Sequence, residues 1–534
     1  MRDCDPSGEP SAAKALDFTF TGMRRDLPRL GNTTFDLLVV GAGIYGACAA
    51  WDASLRGLSV AVVDQDDFGA ATSANSLRIV HGGLRYLGRA DFSRMMESIR
   101  ERSTLLRIAP ALVQPLKVLV PTYGVGTRGR LAYAAALGLN DLASFGRNRH
   151  LEPESRIPGG RIVSRSECLG LFPWFQRQGL SGGALWHDAQ LQHPERLVLS
   201  FLQSASRIGA VPVNYLRVDR LLTGRGVIEG AWGTDRLTGA QLEIRAHSVL
   251  VAAGPWTTGI VRTAVEKPRM KPVRNQALAL NLVVSRRMAE VAVGVQARSG
   301  RAEDPVCGGS RFLFCAPHGG GTVLGTWYTA DDGNLEASVQ RGLSALLQEF
   351  NDACPGLDLS PDDVVRPQWG RLPLKSGLEP GRGDALAERP LIIDHAEDGA
   401  ARLISVEGVK FTTGRLVAEQ SIDRVFTALG RTSPACRTAE LPLEISQAEI
   451  PTAGTVSNTE TIRAVRDEMA VKLSDLVFRR TALGTFPGPS RACVELAARA
   501  MSAELGWSAS QQEQEVQAVL KQAGTSGHAL ETVA

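Results

Sequence analysis

A continuous apolar run, Phe35-Asp36-Leu37-Leu38-Val39-Val40, leads directly into Gly41-Ala42-Gly43-Ile44-Tyr45-Gly46 and predicts a strand followed by a tight turn. Residues 47–55 are helix formers, and Gly57 stands where a C-cap glycine would close that helix. A second strand, Ser59-Val60-Ala61-Val62-Val63, ends on Asp64. After Leu84, the positions Leu87, Met95, Ile99 and Leu106 recur at helical spacing until Pro110, and the charges between them read as a solvated face. Alternating apolar residues from about 275 to 329 predict an antiparallel sheet, and the Pro/Gly-rich run at 377–390 predicts a loop. Beyond Cys436-Arg437-Thr438 the period becomes helical. Val465, Met469, Lys472, Leu473 and Leu476 share a stripe, followed by Arg479-Arg480 and a breaker at 484–489, with further helices predicted over 492–505 and 510–523.

This pattern divides the chain into a tail (1–22), an α/β region (23–440) with interleaved antiparallel strands, and a helical domain (441–534). The tail has no sustained period and precedes Met23-Arg24-Arg25-Asp26-Leu27, which reads like a natural start, so it is expected to be disordered. A length of 534 residues exceeds what one hydrophobic core usually serves and agrees with several domains. The 59 basic and 56 acidic residues give a net charge of +3, which offers no electrostatic case for nucleic acid. Eight cysteines stand singly, with no spacing for a metal site or disulfide framework, and suit a reducing cytoplasm. No run of about 18 apolar residues or secretory pattern occurs, which argues against a spanning segment and leaves peripheral attachment to a membrane face open. No metal is expected.

Chemistry enters with the three glycines. Strand, turn, helix, second strand and terminal acid stand in the order that a dinucleotide-binding unit requires. Gly41 permits the turn, Gly43 lets the backbone approach a pyrophosphate, and Gly46 lets the helix lie close to the strand. The helix N-terminus then offers N–H groups to phosphate, and Asp64 is placed to accept ribose hydroxyls. FAD and NAD both use this arrangement.

The next segment separates them. Ala71-Thr72-Ser73-Ala74-Asn75-Ser76-Leu77-Arg78-Ile79-Val80-His81-Gly82-Gly83-Leu84-Arg85-Tyr86-Leu87 resembles the serine-rich loop and following motif of the FAD-dependent glycerol-3-phosphate dehydrogenases, within the D-amino-acid-oxidase-like group. The resemblance continues in family order over about residues 24–484. It passes through Gly183-Ala184-Leu185-Trp186-His187-Asp188, Pro194-Glu195-Arg196-Leu197-Val198, Val249-Leu250-Val251-Ala252-Ala253-Gly254-Pro255-Trp256, Val365-Arg366-Pro367 and Gly408-Val409-Lys410-Phe411-Thr412-Thr413-Gly414-Arg415. It implies a Rossmann-like FAD-binding domain, an antiparallel-sheet substrate domain and a small C-terminal helical domain whose expected role is capping or oligomer contact.

The same resemblance implies where FAD lies: Gly41, Gly43, Ile44, Gly46, Asp64, Thr72, Ser73, Ser76, Leu77, His81, Gly82, Gly83, Gly254, Gly408, Lys410, Phe411 and Thr412. A helix over residues 412–427, with Thr412-Thr413 as its N-cap, would aim donors at the ring. For a phosphorylated polyol the implied contacts are Arg85, Tyr86, Arg366, Arg389, Lys410 and Thr412, since a phosphomonoester is best held by guanidinium forks and a lysine. His81, Arg85, Arg366 and Lys410 are the implied catalytic set. His81 is either the base for the hydroxyl proton or a group that packs near the ring, and Arg366 would stabilise developing alkoxide.

The family's reaction is oxidation of glycerol 3-phosphate to dihydroxyacetone phosphate, with electrons passed to a quinone or other acceptor. Three departures bear on the substrate: Arg274-Asn275-Gln276-Ala277, Gly325-Thr326-Trp327-Tyr328, and Pro390-Leu391 after Arg389. Trp327 and Tyr328 read either as core residues or as groups that narrow the pocket. The alternatives are an oxidase or dehydrogenase of another polyol phosphate, hydroxy acid or amine on the same fold, and a flavin-binding protein with a decayed site; the persistence of Arg85, Arg366 and Lys410 weighs against the last.

Overall fold

The computed structural model describes residues 22–84, 86, 91–266, 276–297, 312–375, 386–443, 445, 456–486 and 488–523. The expected tail, Arg85, Arg274, Asn275 and most of the predicted 377–390 loop lie outside these residues.

The strand Thr34–Val40 sits inside a sheet whose order runs Leu391–Asp394, Leu403–Glu407, Gln241–Val251, Thr34–Val40, Val60–Val63, Val211–Val213. The five strands from Leu403–Glu407 onward are parallel, and Leu391–Asp394 closes one edge antiparallel. Both faces are covered, which explains the unbroken apolar run. Leu37 and Val39 face a core shared with the helices Ile44–Leu55, Pro194–Arg207 and Gly414–Leu429, while Leu38 and Val40 face a second core beneath the hairpin Leu216–Gly224 and Val227–Asp235.

The second sheet runs Val364–Pro373, Gln276–Val284, Gly321–Ala330, Phe312–His318, Ala292–Gln296, Val113–Tyr123, Leu180–Leu191, Ile79–Val80, with Arg161–Val163 beside Leu180–Leu191. It is antiparallel except where Ala292–Gln296 meets Val113–Tyr123. The helix Leu335–Ala353 packs on it, and its Gly342 admits the Trp327 ring, since a methyl there would stand 2.5 Å from that ring. Trp327 is therefore a core residue.

Two expectations are corrected. The helix after Leu84 forms as Phe92–Ile108, but its charges are not all solvated. Glu101 and Arg102 are buried, because the helix lies between the helix Gly414–Leu429 and the strand Leu180–Leu191 and pairs with each: Glu101 receives Arg415 at 2.6 and 2.9 Å, and Arg102 donates to Asp188 at 2.9 Å. The stripe from Val465 to Leu476 is not one helix either. The helix Asn458–Glu468 ends at Met469 in the left-handed region (φ 53°), and the chain restarts as Leu473–Asp475 and a π-helical turn, Leu476–Arg480.

That break delivers two consecutive arginines to one carboxylate. Arg480 grips Asp67 through two bonds of 2.8 Å, and Arg479 joins Asp67 to Asp475, which also accepts the Tyr215 hydroxyl at 2.6 Å. Arg196 and Glu468 form a neighbouring bidentate pair at 2.7 and 3.0 Å. All of these charged groups are buried. Burial works against ionisation of Asp67, but the two arginines outweigh it and hold its carboxyl far below the usual range. The C-terminal helices have their own core, centred on Leu473, Leu476, Val494, Ala498, Met501 and Val516, and are tied by these ions to the loop that follows the strand Val60–Val63.

Candidate functional site

A cavity of about 520 Å³ opens where the parallel sheet meets the antiparallel one. One end is bounded by residues 64–67 and 216–219, the middle by the glycine turn and Ser73, and the far end by Asn281, Thr326, Tyr328, Lys410 and Phe411. Its size lies within the range of small-molecule and cofactor sites.

The glycine turn behaves as its spacing implies. Gly41 has φ 100°, and a methyl on it would stand 2.6 Å from the Ala252 carbonyl; a methyl on Gly46 would stand 1.8 Å from the Gly41 carbonyl. The helix Ile44–Leu55 begins at Gly43 with no side-chain cap, and the Ile44 amide points to Ser73 Oγ at 3.0 Å. This leaves a helix N-terminus at the cavity wall, suited to pyrophosphate. Asp64 accepts the Ala42 amide (2.7 Å) and the Asp66 amide (3.0 Å), which fixes its carboxylate at the mouth of the turn, and burial pushes its pKa up to about 7. Bonds from ribose hydroxyls would favour its charged form.

Of the residues expected around FAD, Gly41, Gly43, Ile44, Asp64, Thr72, Ser73, Ser76, Leu77, Gly254, Gly408, Lys410 and Phe411 line the cavity. Gly46 packs behind the turn, and Gly82, Gly83, His81 and Thr412 are not on its wall. Tyr45, which sequence reasoning missed, fastens the far loop to the glycine-turn helix. Its hydroxyl donates to the Lys410 carbonyl at 2.7 Å and accepts the Lys410 amide at 3.1 Å, and burial raises its pKa to about 12. Gly408 must be glycine here, because a methyl would fall 1.9 Å from the Tyr45 ring.

The helix after this loop forms as Gly414–Leu429. Thr413 occupies the N-cap position without a side-chain cap bond, and the buried Glu101 accepts the Leu416 amide instead. The cap thus comes from another helix, which a local motif cannot show.

His81 is held by a buried acid. Its Nδ1 lies 3.2 Å from Asp188 Oδ2, while Asp188 Oδ1 accepts the Gly82 amide at 2.7 Å and Arg102 at 2.9 Å. Burial opposes ionisation of Asp188, yet the bond to His81, the charge of Arg102 and the Gly82 amide outweigh it and bring its pKa to about 2. A carboxylate fixed on one ring nitrogen orients the other as a base, the arrangement general-base histidines use. Gly82 also cannot carry a side chain, since a methyl would meet the Arg102 guanidinium at 1.9 Å. Asp188 belongs to a motif the sequence displays, and its signal was that it is the one acid in the strand Leu180–Leu191.

The expected cations fall into two groups. Lys410 Nζ lies 4.5 Å from the centre of the buried Tyr86 ring, and Arg94 lies 5.1 Å from it. Arg94 is bound to Asp91 and, at 2.7 Å, to Glu388. Arg389 is exposed, and its charge acts on Asp91.

Arg366 stands elsewhere along the strand Val364–Pro373, 5.5 Å over the Phe478 ring, with Arg78 and His318 as neighbours. Burial and the charge of Arg78 lower its pKa to about 10, only partly offset by Glu195. Among the described residues no carboxylate or carbonyl takes a hydrogen bond from Arg366. His318 is buried with both ring nitrogens unpartnered, and burial and the surrounding cations push its pKa far down. His193, nearby, is lowered to about 3 by burial and by Arg78 and Arg196. Such a cationic cluster is short of negative charge.

Comparison with known proteins agrees with this geometry. Residues 36–420 match the FAD dependent oxidoreductase family model, and residues 417–512 match the model for the C-terminal domain of alpha-glycerophosphate oxidase. A glycerol-3-phosphate dehydrogenase of Synechocystis is 32% identical over 79% of this chain and 76% of its own length. The chain belongs to the FAD-dependent glycerol-3-phosphate dehydrogenase family.

The human mitochondrial glycerol-3-phosphate dehydrogenase is 29% identical over 74% of the chain, which spans about half (53%) of that longer relative. Among solved structures, the glycerol-3-phosphate dehydrogenase from Bacillus halodurans complexed with FAD shares the fold with a TM-score of 0.71 at 23% identity, covering 95% of this chain and 98% of that one. The cofactor of this family member is FAD, and the tight glycine turn, Asp64 and the elongated cavity fit it. The fold is the expected one: a Rossmann-like sheet, an antiparallel sheet and C-terminal helices.

Proposed function

We propose that the protein oxidises glycerol 3-phosphate at C2 to dihydroxyacetone phosphate and passes the electrons to a quinone. The carrying observation is Arg366, a half-buried guanidinium to which no carboxylate among the described residues is hydrogen-bonded, set beside Arg78 and the unpartnered His318. Withdrawing such a charge from water is costly unless an anion meets it, and a phosphomonoester supplies nearly two negative charges.

When bound, FAD supplies a two-electron acceptor for the C2 hydride. The other tasks fall to the chain: His81, oriented by Asp188, takes the hydroxyl proton, while Arg366 meets the substrate's negative charge. Lys410 and Arg85 hold substrate anion with Tyr86 and Thr412, and Arg389 guards the approach from the exposed side. Of the departures from the family pattern, Trp327 is core, whereas Gln276 and Tyr328 line the cavity. Gln276 donates to the Pro255 carbonyl at 3.0 Å, which turns it toward the wall. Plain glycerol 3-phosphate is the substrate we propose, with Gln276 and Tyr328 the two departures on the cavity wall. The helical region from about residue 441 acts as a cap that the Asp67 ions clamp onto the cofactor-binding domain.

The test is a dye-linked assay on purified holoprotein. Glycerol 3-phosphate is expected to be turned over with kcat/KM of order 10⁴ M⁻¹s⁻¹ or more, and glycerol, which lacks the phosphate, far more slowly. Equal rates for the two would remove the anion site from the account, and a clear preference for a longer polyol phosphate would assign Gln276 and Tyr328 the choice of substrate.

A further inference from the structure

The strand Val364–Pro373 carries Arg366 on the face turned away from the large core of the antiparallel sheet. Alternate residues of a strand share a face, and so do residues directly opposite each other in an antiparallel pair. Leu280, Leu282, Leu313, Cys315 and Trp369 belong to that core. Asn281 and Val283, which stand opposite Gln368 and Arg366, therefore point the other way, as does Phe314 between Leu313 and Cys315. Two observations agree: Asn281 lines the cofactor cavity, and the Phe314 ring meets the His81 ring edge-on at 5.5 Å. Along this face the strand steps from Gly370, which lines the cavity, to Gln368 and then to Arg366, two residues and about 7 Å at a time.

Gln368 thus stands between the cofactor wall and the cation that awaits an anion. It is only 2% exposed, and its Oε1 has no hydrogen-bond partner among the described residues. The amide opposite it is satisfied: Asn281 Oδ1 accepts the Thr326 hydroxyl at 2.8 Å, and Asn281 Nδ2 donates to the Asn75 carbonyl at 3.0 Å. The Thr326 proton is therefore spent on Asn281. Packing alone would be served by a leucine at position 368, whereas a buried amide oxygen left unpaired is costly and calls for a donor from outside the chain. The position names the donor's class. Between a site for phosphate and a site for hydride transfer, the group to be met is a substrate hydroxyl that is neither phosphorylated nor oxidised.

We propose that Gln368 Oε1 accepts the free primary hydroxyl of the substrate and so selects a polyol phosphate over an analogue that lacks this hydroxyl. The proposal rests on the reading of Arg366 as the seat of the substrate's phosphate. His318 lies on the same face as Phe314 and is likewise unpartnered, but its neighbours are Arg78, His193 and Arg366, which assigns it to the anion site.

The experiment compares glycerol 3-phosphate with propane-1,2-diol 1-phosphate, which keeps the phosphate and the secondary alcohol but lacks the primary hydroxyl, in a dye-linked assay on the holoprotein. Wild type should favour glycerol 3-phosphate in kcat/KM by about 10- to 100-fold, the effect of leaving one buried polar group unpaired. In Gln368→Leu, and in the unbranched Gln368→Met, the ratio should fall towards one through loss of activity on glycerol 3-phosphate alone, with flavin content and thermal midpoint unchanged. Arg366→Ala should lower both substrates alike and keep the ratio. A wild type that oxidises glycerol 3-phosphate with no preference over the deoxy compound would overturn the inference while the function stands, and this arm needs no variant to fold. A Gln368→Leu enzyme that keeps the wild-type ratio, or loses both substrates equally, would overturn it as well. A wild type that oxidises neither phosphate would overturn the function and the inference with it.

Discussion

Arg366→Ala is expected to lower kcat/KM for glycerol 3-phosphate by roughly 30- to 1,000-fold, the consequence of removing a charged donor worth about 2–4 kcal/mol in the transition state. The guanidinium is half-buried, no carboxylate among the described residues is hydrogen-bonded to it, Glu195 only partly offsets the charge of Arg78, and His318 beside it is unpartnered, so a substrate anion is the strong partner it lacks. Flavin content should scarcely change, because Arg366 is not on the wall of the FAD cavity. Lys410→Ala provides the contrast. Its loop lines that cavity and is tied to Tyr45, so both turnover and flavin retention should fall. Steady-state kinetics with absorbance-based flavin counting separates the two. Unimpaired turnover in Arg366→Ala would mean that the anion site has been misplaced.

Asp67→Asn is expected to destabilise the protein by about 3–5 kcal/mol, the usual cost of removing one partner from a buried ion cluster. The carboxylate balances both Arg479 and Arg480, and losing it leaves two buried cations to share Asp475 and the Glu468 carbonyl. The change should appear as a lowered unfolding midpoint. It should also weaken FAD retention, because Asp67 belongs to the loop that bounds the cofactor cavity. The same cluster fixes a direction for pH. Asp67 has a depressed folded-state pKa, so the stability it contributes is present above the unfolded carboxylate value of about 3.9 and is lost as pH falls below it. In Asp67→Asn that part of the acid sensitivity should disappear.

How much of this was legible in the sequence depends on the distance over which each feature is decided. The strand at residues 34–40, its glycine turn and Asp64 are set by neighbours within one βαβ unit, and both period and spacing expose them. The antiparallel strands and the last two helices, Arg491–Leu505 and Ala509–Ala523, were visible for the same reason. Glu101 and Arg102 were not. A charged residue at a helical position looks the same whether it meets water or a partner, and the partner of Glu101 lies 314 residues away at Arg415. Asp188 was hidden in a recognisable motif because its role depends on His81, 107 residues distant. The break at Met469 defied the apolar period because the positions of Arg479 and Arg480 are dictated by Asp67, a tertiary requirement that overrides local preference. Family resemblance supplied Arg366 and Lys410, but only the fold separates them into two groups and gathers the cluster of cations around the first.

The most direct test of the central claim is an anaerobic titration of the purified yellow protein with glycerol 3-phosphate, followed by the flavin absorption. The account predicts bleaching by glycerol 3-phosphate, with dihydroxyacetone phosphate formed in an amount equal to the flavin reduced, and no bleaching by glycerol or amino acids. A flavin that glycerol 3-phosphate leaves oxidised, while an amine or hydroxy acid bleaches it, would contradict the account.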